Sequence, residues 1–492
     1  MKRTCGWLFT VLFCLTPGLW AQEHADYFAM MMDGKKVGYA IQRRVVAEGQ
    51  VTSTEQVHIS INRVGVPVTL DLTETAIETM DGKPLGFQAI QNFSLMTVTI
   101  KGKVRPDGTM EVVTQSMGAE QKTEPNWPGG AIMAEGLRLL GLQKGLAEGT
   151  QYDVKVFSGA MLMALDTHVV VGPKRPVDVL GTQIPLTEVK STLSVPGAGQ
   201  MLTISYVDDE QTPYKSQVPM AGMQFEMIRC TQEFAMGQFD PVEFVSKMLL
   251  PSPAVLDNLA KVDSITYVLR PKDTATGLTM PSCDMQTSRS LGDGRVEVTV
   301  KPIKPRPGGT FPYKGSDPNI LASLRPNAFL QTEDPLIVRL ARQAVDDVND
   351  AAEAVRRIEA FVAGYIKEKD LSVGYASAVE VAKTKQGDCT EHAVLAAALC
   401  RAAGIPARVV TGLAYVQEFA GARNCFGGHA WTTAYVNGQW IGLDAAFRGT
   451  GRGGFDAGHI ALATGDGEPG DFFGIATRLG QFTIEKITVN NP

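Results

Sequence analysis

The sequence predicts a multidomain chain: a β-rich N-terminal region followed by an α+β C-terminal domain. Three features point to it. At 492 residues the chain exceeds what one ordinary core accommodates. From Asp26 to about Lys301, runs of alternating and β-branched residues are separated by Asp-Gly turns. Beyond Pro335 the apolar spacing becomes helical, and strand-like runs return only past Pro406.

At the N-terminus, Lys2 and Arg3 precede an apolar segment from Gly6 to Ala21. It is too short for a comfortable membrane span, is broken by Pro17 and Gly18, and ends in Leu19-Trp20-Ala21, with a small residue at the cut. It reads as a secretory signal peptide, residues 1–21, which makes the mature protein periplasmic or secreted. No later stretch is long and apolar enough for an integral membrane span after signal removal.

Residues 22–300 form the β-rich region. Strands are expected at Val57–Ile61, Met96–Ile100, Thr167–Val171 and Val296–Val300, with turns at Asp33-Gly34, Asp81-Gly82, Asp107-Gly108 and Asp293-Gly294. Helical interruptions are expected from Ala131 to Leu142 and from Pro241 to Leu250, and a seam near residues 125–150 makes this one or two domains. His58 and His168 sit in strands and read as hydrogen-bonded structural residues. The region carries no catalytic constellation; its candidate partner is a protein, which it holds in the scaffold alternative given below. Residues 301–334, opening Lys301-Pro302-Ile303-Lys304-Pro305-Arg306-Pro307-Gly308-Gly309, read as a Pro/Gly-rich linker. Residues 335–492 form the last domain, with helices from Pro335 to Val348, Ala351 to Lys369 and Ser377 to Lys383.

Charge and cysteines narrow the function. The formal net charge is −6, or −8 once Lys2 and Arg3 leave with the leader, and no basic block stands out. Nucleic acid is therefore not the expected partner. Of seven cysteines, Cys230, Cys283, Cys389, Cys400 and Cys425 remain in the mature chain. An odd number in an oxidising compartment leaves at least one thiol free or paired between molecules. Cys230 with Cys283 is a candidate disulfide, and Cys389 the candidate free thiol. No Cys/His spacing suits zinc and no acidic loop has calcium-binding spacing, so neither metal nor cofactor is expected.

Cys389 earns that place from its neighbours. In Gln386-Gly387-Asp388-Cys389-Thr390-Glu391-His392, Asp388 suits a helix N-cap and Glu391 the other half of a capping box. Cys389 then falls at the first helical position, where unpaired N–H groups and the helix dipole favour thiolate. The apolar run through Cys400 is a buried helix closed by Gly404 and Pro406. Cys400 is read as core and His392 as structural or pocket-lining. Cys425 lies in a glycine-rich loop before His429, and His459 holds a loop or the rim of the site.

Downstream, Asn437-Gly438 signals a type I′ hairpin. Taking those two residues as the loop pairs Val436 with Gln439, Tyr435 with Trp440 and Trp431 with Asp444. His429 and Asp444 then project from one face as diagonal neighbours, which lets a carboxylate fix the tautomer of an imidazole. Trp431 and Trp440 read as core and wall of the hairpin.

The stretch from about Pro335 to Asp466 resembles the transglutaminase-like superfamily, relatives of papain-type cysteine proteases. The motifs are Gly387-Asp388-Cys389-Thr390-Glu391-His392-Ala393, Arg401-Ala402-Ala403-Gly404-Ile405-Pro406-Ala407-Arg408, Gly428-His429-Ala430-Trp431 and Trp440-Ile441-Gly442-Leu443-Asp444. The resemblance implies a papain-like α+β core and a Cys389–His429–Asp444 triad that transfers an acyl group from a protein or peptide amide. Cys389 would be the nucleophile, His429 the base and Asp444 its orienter; the Cys389 N–H would be one oxyanion donor, with Gln386 the candidate for the second. Hydrolysis, as peptidase or amidase, is the favoured outcome. The alternative is a non-catalytic binding or assembly protein that uses the papain-like core as a scaffold.

Overall fold

The structure, a computed structural model, describes residues 24–93, 96–116, 119–195, 199–220, 222–272, 278–368, 376–467 and 478–491. The expected signal peptide lies outside them. The chain divides into two units, with the boundary between Glu243 and Phe244.

The N-terminal unit is built on one 16-stranded sheet. Strands β1 (His24–Met32) to β8 (Ala119–Thr123) pair in sequence order, as do β10 (Gln151–Ser158) to β15 (Met223–Cys230). β1 pairs antiparallel with β15, joining the two meanders. Tight turns make this possible: Asp33 and Gly34 carry φ of 49° and 76°, the left-handed pair a two-residue hairpin needs. Along β3 (Gln50–Arg63) burial alternates, with Val51, Ser53, Glu55 and Val57 turned inward. Helix α1 (Ala134–Lys144) covers part of that inner face, against β3 and β4 (Val66–Thr79). His58 bonds Asp71 across strands at 2.6 Å and His168 bonds Asp153 at 2.7 Å, the structural roles expected of them.

Two expectations for this region change. The stretch at 125–150 is no domain seam: β9 (Ala131–Ile132) pairs parallel with β10 and α1 stays on the same sheet. Nor is Pro241 to Leu250 a helix. It holds β16 (Val242–Glu243), a 3₁₀ turn at Ser246–Met248 and the start of β17 (Leu250–Pro251), while the helical turn α2 (Gln232–Met236) lies earlier. The reason is an open stretch of strand. β2 (Lys35–Ala47) pairs with β3 only as far as Ile59, so Ile61 is left to pair with Val242, and Asn62 donates to the Pro241 carbonyl at 3.1 Å.

The C-terminal unit begins earlier than the expected residue 301. β18 (Ser264–Pro271), β19 (Gln286–Ser290) and β20 (Val296–Val300) form a four-stranded sheet with the last strand, β25 (Phe482–Asn490), in the order β19-β20-β18-β25. Alternation alone cannot say which sheet a strand joins. Here Ser264↔Asn490 through Pro271↔Phe482 closes a pairing across more than two hundred residues. Residues 301–334 are likewise no free linker. Proline removes donors from this stretch but leaves its carbonyls, and these accept from the unit: Ala351 N–H to Gly309 O at 3.0 Å and Ala407 N–H to Ser323 O at 3.0 Å. The stretch also forms α3 (Pro318–Ala322) and buries Leu330 completely.

Helices α4 (Pro335–Val345), α5 (Ala351–Tyr365) and α6 (Ala378–Thr384) pack around α7 (Cys389–Ala402), which is buried from Glu391 to Arg401. Aspartates 334, 350 and 388 cap α4, α5 and α7, the last as its place before the apolar run predicts. α7 lies on a five-stranded sheet of β17, β21 (Ala407–Phe419), β22 (Ala422–Val436), β23 (Gln439–Leu443) and β24 (His459–Gly465). Among the described residues no helix is long and apolar enough to cross a membrane.

Candidate active site

Cys389 is the first residue of α7 and is half-buried. Its position is held from both sides. The Asp388 carboxylate accepts from Thr390 N–H at 2.9 Å, and Glu391 returns to accept from Asp388 N–H at 2.8 Å and Ala376 N–H at 3.1 Å. Burial pushes the Glu391 carboxyl well above the ordinary carboxylate range, and Asp388 adds to it. Gly387 is required here: at φ 146°, a Cβ would lie 2.2 Å from the Glu391 Cβ, so any side chain would displace the capping box. His392 donates Nδ1–H to the Asp388 carbonyl at 2.6 Å, a structural role.

The strand that brings His429 runs alongside this helix. Thr432 Oγ1 donates to the Ala393 carbonyl at 2.9 Å, and Tyr435 N–H donates to the Pro406 carbonyl at 2.8 Å, so β22 and α7 point the same way. His429 lies about 10 Å before Thr432 along the strand and Cys389 about 6 Å before Ala393 along the helix. Both are thus displaced toward the N-terminal end of α7. Alternation puts His429 and Thr432 on opposite faces, so the direction of the imidazole is set elsewhere. Its ring stacks on Phe447 of α8 (Ala445–Arg448), with centroids 4.3 Å apart, and α8 packs on α5 and α7.

The β22–β23 register is the one the Asn437-Gly438 turn predicts: Val436↔Gln439 and Tyr435↔Trp440. Both turn residues have positive φ, 52° and 82°. Asp444, just past β23, is 1% exposed and uses both oxygens. Oδ1 caps α8 by accepting from Phe447 N–H at 2.9 Å, and Oδ2 meets His429 Nε2 at 2.8 Å. The Asp444 N–H donates to Glu359 of α5 at 2.7 Å, tying the hairpin end to the helical layer. The paired imidazole holds the Asp444 carboxyl far below its ordinary range against the cost of burial. With Nε2 committed to the carboxylate, Nδ1 is the nitrogen of His429 left to exchange a proton.

A second imidazole shares that carboxylate, and its role exceeds the loop or rim position expected of it. His459 is fully buried; its Nε2 lies 3.0 Å from Asp444 Oδ2, and its Nδ1 lies 3.0 Å from the Asp456 carbonyl and 3.1 Å from Asp456 Oδ1. Arg452 backs Asp456 with two bonds, 2.8 and 2.9 Å. Burial opposes the charge, yet the two aspartates raise His459 to about 9. The Arg452 and Asp456 spacing of four residues on a loop gave no signal in the sequence; only the fold points them at His459.

His429, Asp444 and His459 are also the one group among the described residues with three metal-type donors close together, within 4.8 Å of one another. The donors do not fit an ion well. Both Nε2 atoms aim at the same carboxylate oxygen at hydrogen-bond distance, and His459 Nδ1 is turned to Asp456, an arrangement protons satisfy.

Residues 338–445 match the model of the transglutaminase-like superfamily. Helices α5 to α7, strands β21 to β23 and Cys389, His429 and Asp444 all lie within the matched residues. Solved structures similar to the chain include a candidate cysteine protease from Cytophaga hutchinsonii, at 20% identity and TM-score 0.29 over 47% of this chain and 84% of that one. The periplasmic domain of TgpA from Pseudomonas aeruginosa, bound to ethylmercury, aligns at 16% identity and TM-score 0.25 over 45% and 79%. A β-barrel-like protein of domain of unknown function DUF1849 from Brucella abortus aligns at 12% identity and TM-score 0.34 over 43% and 97%. No curated protein sequence matches the chain.

The other sequence candidates resolve simply. None of the five described cysteines forms a disulfide, Cys230 and Cys283 included, against the candidate pairing. Cys400 is core, its thiol pushed up to about 12 by burial, and burial also raises Cys425. Gln386, the candidate second oxyanion donor, is half-buried and gives its side-chain amide to Glu368. Trp431 and Trp440 line a cavity of about 60 Å³ with Phe455 and His459 that reaches neither Cys389 nor His429, in keeping with wall roles.

Proposed function

We propose that the transglutaminase-like domain is a cysteine-dependent acyl-transfer enzyme acting on a protein or peptide amide in the periplasm or outside the cell, with water as the favoured acceptor. The observation that carries this is the 2.8 Å bond from His429 Nε2 to Asp444 Oδ2, on a strand running beside a helix whose first residue is Cys389. The bond fixes the tautomer that presents Nδ1 to a thiol. His429 takes the Cys389 proton, and the thiolate adds to the carbonyl carbon, forming a C–S bond and an oxyanion near the N-terminal N–H groups of α7. Collapse breaks the C–N bond, and the amine leaves with the proton from His429. Water then gives its proton to His429 Nδ1, adds to the thioester, and expels the thiolate; an amine in place of water would cross-link instead.

The test has two stages. Iodoacetamide should alkylate Cys389 at pH 6 at least about ten-fold faster than an ordinary thiol with a pKa near 8.5. A mass-spectrometric screen of peptide and cell-wall amides should then give cleavage by wild type and none by Cys389→Ala. A Cys389 that reacts like free cysteine would instead support the scaffold role.

A further inference from the structure

The inner face of the N-terminal sheet holds a buried charge imbalance. Other buried acids of this unit have charged partners: Asp26 has Arg229, Glu188 has Arg175 and Lys190, and Glu135 has Arg44 and Arg138. Glu78 accepts from the first N–H groups of α1, Glu135 at 2.6 Å and Gly136 at 3.0 Å. Among the described residues, Glu55 and Glu74 have no such partner. They face each other directly across β3 and β4, 0% and 9% exposed. Their bonds among the described residues are to neutral groups: Gln42 Nε2 to Glu55 at 3.0 Å, and Gly159 N–H to Glu74 at 2.6 Å, with the Ala160 N–H and the Ser158 hydroxyl also on Glu74.

Among the described residues, four buried oxygens in this cluster have no hydrogen-bond partner: Gln42 Oε1, Ser53 Oγ, Glu55 Oε2 and Glu74 Oε2. Register places them together. Gln42, Glu55 and Glu74 are successive cross-strand partners, and Ser53 precedes Glu55 by two residues on the same face. Directly opposed residues have Cβ atoms about 5 Å apart, within reach of one shared ion. Ser53 and Glu74 line a cavity of about 30 Å³ closed by Phe87, Val156 and Phe157. A void of that size takes an ion or a water or two and no organic ligand.

We propose that Gln42, Ser53, Glu55 and Glu74 form a binding site for a hard divalent cation in the N-terminal unit. Two carboxylates match a double positive charge, and amide and hydroxyl oxygens complete an all-oxygen set that suits calcium or magnesium over softer metals. Strand-held ligands favour calcium, whose coordination tolerates irregular geometry at longer distances than magnesium accepts. Without the ion, burial lifts the Glu55 carboxyl to about 8 and Glu74 to about 7, with their mutual repulsion adding to the first. Binding near neutral pH would therefore displace protons. The site is independent of the chemistry proposed for Cys389.

The experiment titrates the whole chain, stripped with EDTA, with CaCl₂ and MgCl₂ at pH 7.5 by calorimetry in two buffers of different ionisation heat, alongside thermal unfolding. Wild type should bind one ion per chain, release protons and rise in Tm. Glu55→Gln and Glu74→Gln should each weaken binding by about ten-fold or more, and the double variant should lose it. Far-UV circular dichroism checks that the sheet survives, and the ion-free variants should melt no lower than ion-free wild type. Exposed Asp166→Asn should bind as wild type does. No heat and no Tm shift with either ion at millimolar concentration would overturn the proposal, as would undiminished binding in the double variant.

Discussion

Replacing His459 with glutamine removes a buried positive charge from behind the Asp444 carboxylate, and the structure fixes how the loss depends on pH. His459 moves from its ordinary 6.5 to about 9 on folding. At about 1.4 kcal/mol for each tenfold change in proton affinity, that is on the order of 3 kcal/mol. The folded chain holds this proton more tightly than the unfolded chain. The contribution is therefore fully present below about pH 6.5 and is lost as pH rises through about 9. Asp444 and Asp456 are held below their ordinary values and stay ionised throughout that window, so they add no slope. The assay is guanidinium unfolding from pH 6 to 10, followed by Trp431 and Trp440 fluorescence in a Trp127→Phe background. Trp431 is a close reporter, its ring 5.1 Å from His459. Wild type should lose about 3 kcal/mol relative to His459→Gln across the window, so that the two converge near pH 10. Parallel stability curves would refute a charged His459. A matching readout is the alkylation profile of Cys389. Wild type and His459→Gln should differ in its midpoint, because Asp444 then answers to one imidazole instead of two.

Asp444→Asn should slow Cys389 alkylation at pH 6 about ten-fold or more, and lower the turnover of any amide found in the screen by on the order of 10⁴. Arg452→Met leaves Asp456 with His459 as its charged partner and should cost about 2–3 kcal/mol in the same unfolding assay, since Arg452 is mostly buried. Thr432→Val removes the bond to the Ala393 carbonyl, and hydrogen exchange along α7 should quicken in step with a loss of about 1 kcal/mol. Gly438→Ala at φ 82° should lower the melting temperature of the C-terminal unit through a cost of about 1 kcal/mol, whereas Asn437→Gly should be nearly neutral.

Much of the candidate site was legible because its signals are local. Asp388 and Glu391 bracket the start of α7 within four residues, and the Asn437-Gly438 turn sets the register that brings His429 to Asp444. Helix capping and hairpin pairing depend on fixed, short offsets, so the sequence determines them. What escaped depends on distance. β18 finds its partner in β25 more than two hundred residues on, and the Pro/Gly stretch is held by amides of α5 and β21 that no composition rule can name.

The sequence by itself determined where the nucleophile candidate sits on its helix, which face of the hairpin carries imidazole and carboxylate, and that most of the first half is strand. Only the tertiary structure decided that Asp444 serves two imidazoles, that Arg452 and Asp456 stand behind the second, and that Glu55 and Glu74 lie opposed with no counter-charge among the described residues. The division has one physical cause. Periodicity and turn chemistry are encoded by neighbours along the chain, whereas the charge a buried group faces comes from whatever strand or loop the fold lays against it.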